Sequence, residues 1–311
     1  MQAVNRSFDI TPEGYLTAYH GYESTVTVPE GVTGVGERAF WGARMMARLV
    51  LPVSLRTVDA WAFAGCTGLR EVEPGGAETI GAHAFFSCTS LREVRLPASL
   101  LRLGSAAFDG CASLALVTLP AGLAEVGAGA FRGCRTLRAV RVSPKNRIFR
   151  EEGGVLYRGS DLLLRYPPGR DAFAYTVPAG VRRLAPGAFS EATMLREVWL
   201  PGSLTEIGQG AFYRAKHLRG VAIPAGVTAI GAEAFGLCEA LTRVTLPEGL
   251  REVPPLAFYG CVSLTDVVLP PSVTRIGEGA FHGCRSLCRF TAPGVTAVGE
   301  NAFSGCAALR R

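Results

Sequence analysis

Apolar and polar residues follow one pattern along most of the chain, and this pattern recurs about every 23 residues. The dipeptide Ala-Phe marks it eleven times, with Phe40, Phe63, Phe85, Phe108, Phe131, Phe189, Phe212, Phe235, Phe258, Phe281 and Phe303. Successive Phe residues are 22 or 23 positions apart, except for one gap of 58. An aliphatic residue stands five positions before every Phe, and Leu stands six positions after ten of them. Such regular spacing predicts a repeat protein whose neighbouring copies share one core.

One repeat has the form L-x-x-V-x-L-P-x-x-L-x-x-I-G-x-x-A-F-x-G-C. The V-x-L segment alternates with period two, which predicts a short strand with one buried face. Pro ends this strand because it has no N–H to donate to a ladder. The I-G step predicts a tight bend that needs either a positive φ or a close approach of two backbones. The segment around A-F-x-G-C is too short for a free helix and predicts a single turn.

This unit resembles the BspA-like type of leucine-rich repeat, and the resemblance covers nearly the whole chain. It implies a β-rich repeat solenoid, a curved parallel-β stack of about eleven coils with short turns on the convex side and one β-hairpin insert. It also implies binding of other macromolecules, points to the cell surface or to secretion, and carries over no catalytic residue.

The gap of 58 residues predicts where the solenoid is interrupted. Two apolar runs, Val155–Tyr157 and Leu162–Tyr166, flank Gly159-Ser-Asp, which predicts a β-hairpin. We therefore divide a single solenoid, 1–311, into an N-terminal cap (1–28), a first repeat block (29–142), a hairpin insert (143–176) and a second repeat block (177–311). The insert is either a larger coil that keeps the stack continuous or a functional protrusion.

The two ends of the chain carry further expectations. The segment from Phe8 to Gly21 resembles a shortened insert, and we expect it to cover the first edge of the solenoid. Leu309-Arg-Arg stops where another strand would begin. The chain is then either part of a longer protein or able to associate end to end with a second copy.

Composition and charge exclude few functions. No apolar stretch is long enough for a transmembrane helix, so membrane insertion is not expected. The first residues lack the apolar segment of a secretory signal, which leaves a cytoplasmic location open. The net charge of +6 comes from dispersed Arg rather than from a basic run, which does not favour nucleic acid as a partner.

Nine cysteines suggest redox or metal chemistry at first, but eight of them stand three positions after the repeated Phe. Ala takes this position in the other three repeats, which indicates a small buried group. Cys288 alone lies off this row. No C-x-x-C pair, histidine pair at ligand spacing or nucleophile motif occurs, so we predict no metal, no cofactor and no enzyme. An active site in the insert, around 145–175, is the enzymatic alternative.

Two rows of variable residues, eight and ten positions after Phe, flank the buried Val and should face solvent on the strands. Exposed Trp and Arg are frequent anchors of protein interfaces. The candidate partner-binding residues are Trp199, Arg95, Arg141, Glu93, Glu197 and Arg243. A further row on the turn side contains Trp41, Phe86, Tyr213, Tyr259 and His282. These patterns favour a noncatalytic protein-binding scaffold for adhesion or attachment, and the alternative is an electrostatic binder of anionic glycan or nucleic acid.

Overall fold

The structure, a computed structural model, describes residues 7–309. The chain divides into two compact units, unit 1 (Met1–Leu156) and unit 2 (Tyr157–Arg311). Strands and turns make up residues 7–309, and no helix long and apolar enough to cross a bilayer occurs among them. Each unit is a parallel-strand solenoid, so the predicted fold class is confirmed.

Strands are numbered β1 to β28 in chain order, and the V-x-L segments form the longer ones. In unit 1 these are β3 (Thr25–Thr27), β5 (Arg48–Val50), β7 (Glu71–Glu73), β9 (Glu93–Arg95), β11 (Leu116–Leu119) and β13 (Ala139–Val142). In unit 2 they are β17 (Ala174–Thr176), β19 (Glu197–Trp199), β21 (Gly220–Ala222), β23 (Arg243–Thr245), β25 (Asp266–Val268) and β27 (Arg289–Thr291). These are twelve strands rather than eleven, because β3 and β17 each precede the first Ala-Phe turn of their unit, whereas no strand follows Phe303 within residues 7–309.

A second series of two-residue strands ends at the aliphatic residue of the I-G step. In unit 1 these are β4 (Gly34–Val35), β6 (Thr57–Val58), β8 (Thr79–Ile80), β10 (Arg102–Leu103) and β12 (Glu125–Val126). In unit 2 they are β18 (Arg183–Leu184), β20 (Glu206–Ile207), β22 (Ala229–Ile230), β24 (Glu252–Val253), β26 (Arg275–Ile276) and β28 (Ala297–Val298). Pairing is parallel and in register, so Val117 lies opposite both Val94 and Val140.

Five strands belong to hairpin segments: β1 (Phe8–Ile10), β2 (Tyr15–Tyr19), β14 (Phe149–Glu152), β15 (Val155–Arg158) and β16 (Leu162–Arg165). β15 and β16 are neighbours in one sheet, which is the hairpin predicted from the sequence. β1 and β2 pair antiparallel, and β2 then pairs in parallel with β4 just as β16 pairs with β18.

The first segment and the insert also resemble each other in their packing. Tyr19 stacks on Phe40 with ring centroids 4.8 Å apart, and Tyr166 stacks on Phe189 at 5.1 Å. In each unit a tyrosine ring therefore stacks on the first of the repeated Phe rings. Arg165 precedes Tyr166 and is buried, and its Nη1 donates to the Gly187 carbonyl at 2.6 Å. This buried arginine ties the insert to the first Ala-Phe turn of unit 2.

The repeated Phe residues form the centre of the core. Their ring centroids are 4.8–6.1 Å apart in unit 1 and 5.0–5.6 Å apart in unit 2. Stacked aromatic pairs contribute about 0.5–1.5 kcal/mol each beyond burial of their area. The Phe backbone joins neighbouring coils too, since Phe235 N donates to the Ala257 carbonyl at 2.8 Å. One coil alone would leave both ring faces and these backbone groups without partners.

The glycine of the I-G step is required by close packing. A Cβ added to Gly231 would lie 2.3 Å from the backbone N of Gln209 in the preceding coil, and one added to Gly127 would lie 2.3 Å from Ser105 N. Neither glycine has a positive φ. Of the two explanations that the sequence allowed, the close backbone approach is therefore the one that applies.

Positive φ occurs instead at two other positions of every coil, two residues before and two residues after the repeated Phe. All eleven residues at each position have φ between 53° and 78°. Several are not glycine, including Trp61, His83 and Ser87. The left-handed region costs an L-residue about 1–2 kcal/mol, so the turn geometry must be imposed by packing of the coil.

Two coils are one residue shorter than the others, between Phe63 and Phe85 and between Phe281 and Phe303. In both coils, the connection after the longer strand contains a glycine in close contact with the backbone of the preceding coil. A Cβ on Gly75 would lie 2.2 Å from the Pro52 carbonyl oxygen, and one on Gly294 would lie 2.0 Å from that of Pro271. The missing residue is accommodated there by the absence of a side chain.

Candidate partner-binding surface

The strand faces present side chains that the core does not use. In β7, β9, β19, β21 and β23 the middle Val is buried and both flanking residues are exposed. This alternation follows from the two-residue period of a strand. Equivalent side chains on neighbouring parallel strands are about 4.8 Å apart, so each exposed row is a regular series. The faces of units 1 and 2 differ in chemistry.

In unit 1 the predicted residues Arg95, Glu93 and Arg141 are exposed, and all three are engaged in ion pairs. Arg95 Nε lies 3.2 Å from Glu93 Oε1, and Arg141 Nη1 lies 3.2 Å from Glu151 Oε1. Exposed pairs of this kind contribute about 0–1 kcal/mol. The three residues thus lie on one strand face, but their charges are largely balanced within the unit.

Unit 2 contains the other three predicted residues, Glu197, Trp199 and Arg243. Glu197 and Trp199 lie on β19, and Arg243 lies two strands away on β23. All three are exposed, and the Trp199 side chain retains 52% of its accessible surface. The structure therefore places them on one face of unit 2, with β21 between them.

Sequence reasoning missed several residues beside Trp199. The Arg196 guanidinium lies 4.7 Å from the ring centroid of Phe173, and both side chains are exposed. Arg219 and Gly220 lie on the next coil. Arg196 and Arg219 could have been found from the sequence, because both stand seven positions after a repeated Phe. Phe173 could not, because it lies inside the insert and outside the repeat register.

On the turn side of unit 1, an aromatic cluster extends over three coils. Trp61 stacks on His83 with centroids 4.0 Å apart, and Phe86 packs edge-on against Trp61 at 5.4 Å. Trp41 lies 5.7 Å from Trp61, and the Arg38 guanidinium lies 5.3 Å from the Trp41 centroid. The predicted row members Trp41 and Phe86 therefore pack over the coil edges with Trp61 and His83, which the pattern did not include.

The cysteine row is part of the core. Each thiol donates to the carbonyl of a Phe in the preceding coil, as from Cys111 Sγ to the Phe85 oxygen at 3.1 Å. Burial raises the pKa of Cys284 to about 12 and also raises the pKa of Cys238 and Cys261. These thiols are therefore poor nucleophiles, because the thiolate is the reactive form. Cys288, which lies off this row, is exposed.

The described histidines lie in separate environments. His20 Nε2 lies 2.8 Å from an Asp9 carboxylate oxygen, His217 contacts the Thr193 carbonyl, and His282 lies beside Tyr259. Within residues 7–309, no three His, Cys, Asp or Glu side chains are grouped in a way that would hold a metal ion.

Stacked coils, in-register parallel strands and the ladder of Phe, Leu and Cys define the leucine-rich-repeat class of solenoid. More particularly, the BspA type leucine rich repeat region, in six copies, matches residues 19–75, 72–152, 174–264 and 252–311. The chain belongs to this family. Solenoids of this kind are commonly noncatalytic scaffolds for protein interaction. No curated protein matches the sequence.

Solved structures show the same fold. A leucine-rich repeat protein from Eubacterium ventriosum superposes with a TM-score of 0.79 at 22% identity, over 97% of this chain and 87% of that one. A leucine rich cell surface protein from Faecalibacterium prausnitzii gives a TM-score of 0.62 at 24% identity, over 100% and 93%. The pneumococcal vaccine antigen PcpA gives 0.58 at 21% identity, over 92% and 80%.

Proposed function

We propose that the protein is a noncatalytic scaffold that binds a protein partner through its exposed strand faces, in adhesion or attachment. The observation that carries this proposal is the exposed Trp199 on the second strand of the regular strand face of unit 2, among side chains that the core does not need. Burying a large aromatic side chain at an interface removes much apolar surface from water. Truncation of such an anchor typically costs at least about 2 kcal/mol of binding free energy.

The test is site-specific photo-crosslinking in lysate of source or host cells. A photoreactive phenylalanine replaces Thr245 on the strand face of unit 2, and a matched variant carries it at Thr67 on the turn side of unit 1. We expect one discrete protein to crosslink from position 245 at both physiological and high salt. Capture by the Trp199→Ala variant should be at least about tenfold weaker, and its melting temperature should not be lower than that of the unchanged protein.

Equal crosslinking from both positions would contradict the proposal. So would unchanged capture by a folded Trp199→Ala variant, which would remove Trp199 from the site.

A second candidate, an electrostatic binder of anionic glycan or nucleic acid, is favoured by one segment of unit 1. Residues 132–150 contain seven cationic side chains and no acidic one. Among them, Arg132, Arg141 and Arg150 contact Asp109, Glu151 and Glu152. Binding of this kind releases counterions and weakens steeply with salt. Capture that disappears at high salt and consists of acidic polymers would favour this alternative.

A further inference from the structure

Trp199 stands at the side of a notch in the strand face of unit 2. On the next strand, Gly220 lies opposite Glu197, and Ala222 occupies the position equivalent to Trp199. A Cβ added to Gly220 would meet no atom within 4 Å. Because neighbouring strands are about 4.8 Å apart, a space without side chains adjoins the exposed indole.

This opening is not needed for the backbone. Gly220 does not have a positive φ, so its conformation suits any L-residue. Glycine in a strand is less favourable than other residues by about 0.5–1 kcal/mol. The strand is therefore less stable than it could be at a position that, together with Ala222, leaves the face diagonal to Trp199 without a large side chain.

Positive charge surrounds the notch. Arg196 and Arg219 immediately precede β19 and β21, Arg243 lies on β23, and all three are exposed, whereas Glu197 is the acidic residue on β19 and β21. Within the described part of the chain, Arg219 and Arg243 form no ion pair. The nearest acidic residue along the row, Asp266, lies opposite Arg243. The Thr265 hydroxyl and Arg289 hold its carboxylate and lower its pKa, and the charge of Arg243 contributes to the same shift. In unit 1, by contrast, Arg48, Arg95 and Arg141 each contact a glutamate.

The occupant must bind through side chains. The strands on both sides of the notch already pair with their neighbours, so their backbone groups are not available to an added strand. An extended segment places alternate side chains on one face about 6.6–6.8 Å apart. Arg243 lies two strands across and two residues along from Trp199, which is about 12 Å by strand geometry. An apolar side chain beside the indole and a carboxylate four residues away, about 13 Å along an extended segment, therefore match this separation.

We propose that this face binds an extended acidic polypeptide segment, one apolar side chain of which fills the notch over Gly220 and Ala222 against Trp199, with its carboxylates on Arg219 and Arg243. This inference rests on the proposed function and adds the chemistry of the partner.

The probes are three fluorescein-labelled synthetic peptides of about ten residues, long enough to cross several strands. The first has a central Phe flanked by Glu, the second a central Gly flanked by Glu, and the third a central Phe flanked by Lys. Fluorescence anisotropy measures their binding to the full chain. We expect the first peptide to bind at least about tenfold more tightly than the other two.

The decisive variant is Gly220→Leu, which fills the notch without disturbing the strand. It should weaken binding of the first peptide at least about tenfold while the melting temperature stays the same or rises. Gly202→Leu is the matched control, because Gly202 is equally open but lies in the turn after β19, and it should leave binding unchanged. Arg243→Glu should weaken binding as well.

Three results would overturn the inference: equal affinity of Gly220→Leu for the first peptide, equal affinity for the Lys-flanked peptide, or no binding of the first peptide at about 1 mM. If crosslinking from position 245 still depends on Trp199 in any of these cases, the proposed function stands and only the acidic chemistry fails. If that dependence is lost too, both fail.

Discussion

Replacing Gly231 by Ala tests the packing of one coil on another by the addition of a single methyl group. The new Cβ would lie 2.3 Å from Gln209 N, 2.6 Å from Gln209 Cα and 2.7 Å from Gly208 C. All three are backbone atoms of the preceding coil, so no side chain can rotate away. The two coils must separate locally, against the backbone hydrogen bond from Gly231 N to the Ile207 carbonyl at 2.7 Å.

The expected magnitude follows from this geometry. Overpacking in a core typically costs about 1–3 kcal/mol, and a contact with three fixed backbone atoms belongs at the upper end. Gly220→Ala is the matched control in the same unit, because its added Cβ meets nothing within 4 Å. That variant should gain about 0.5–1 kcal/mol from the lower entropy of its unfolded chain. The two alanine variants should therefore differ by about 3–4 kcal/mol.

Urea unfolding of both variants, followed by Trp fluorescence and by far-UV circular dichroism, measures this difference. Agreement of the two probes checks that unfolding is cooperative enough for the comparison. Similar free energies of unfolding for the two variants would show that the coils are not packed as closely at Gly231 as the structure has them.

Three further predictions concern the turns and the thiols. Ser87→Gly should raise the melting temperature, because Ser87 has φ of 56° at a position where seven coils have glycine. Relief of the backbone strain, about 1–2 kcal/mol, exceeds the entropy cost of glycine, about 0.5–1 kcal/mol. A lower melting temperature would contradict the strain argument. At neutral pH a thiol reagent should modify Cys288 before the buried cysteines. Stability should fall as the pH rises above about 8.5, the ordinary pKa at which thiols of the unfolded chain ionise, since burial raises the pKa of Cys284 to about 12 in the folded protein. Melting temperatures from about pH 8 to about pH 11 check this, and Cys284→Ala should lessen the fall.

Much of the fold could be predicted because the core positions repeat. The rows of Phe, Leu and Val, the short strands, the buried cysteines and the hairpin at Val155–Arg165 all follow from spacing and period. The predicted number of coils was one too low because β3 and β17 have no preceding Ala-Phe to mark them, whereas Phe303 has no following strand within residues 7–309. The positive φ values before the repeated Phe were missed as well, because Trp61 and His83 carry no glycine signal there.

The partner-binding surface is less predictable for a physical reason. Exposed rows carry no constraint from the core, so their pattern shows which residues face solvent but not which of them act together. Trp199 was evident as a large residue among small ones. The open space near Trp199 depends on Gly220 having no side chain. The charge around it depends on whether each arginine has a carboxylate within reach. Both are properties of neighbouring coils and require the register of the strands.

The two shortened coils show where this architecture can change its length. Because every coil meets its neighbours through the same contacts, duplication or loss of a whole repeat would create interfaces that already exist in the protein. A change of one residue is different, since it would move Phe off its row unless the connection absorbs it. The chain absorbs it only after the longer strand, where Gly75 and Gly294 allow the backbone to press on the coil before it. In evolution, single-residue deletions in such a solenoid should therefore be found together with glycine in that connection.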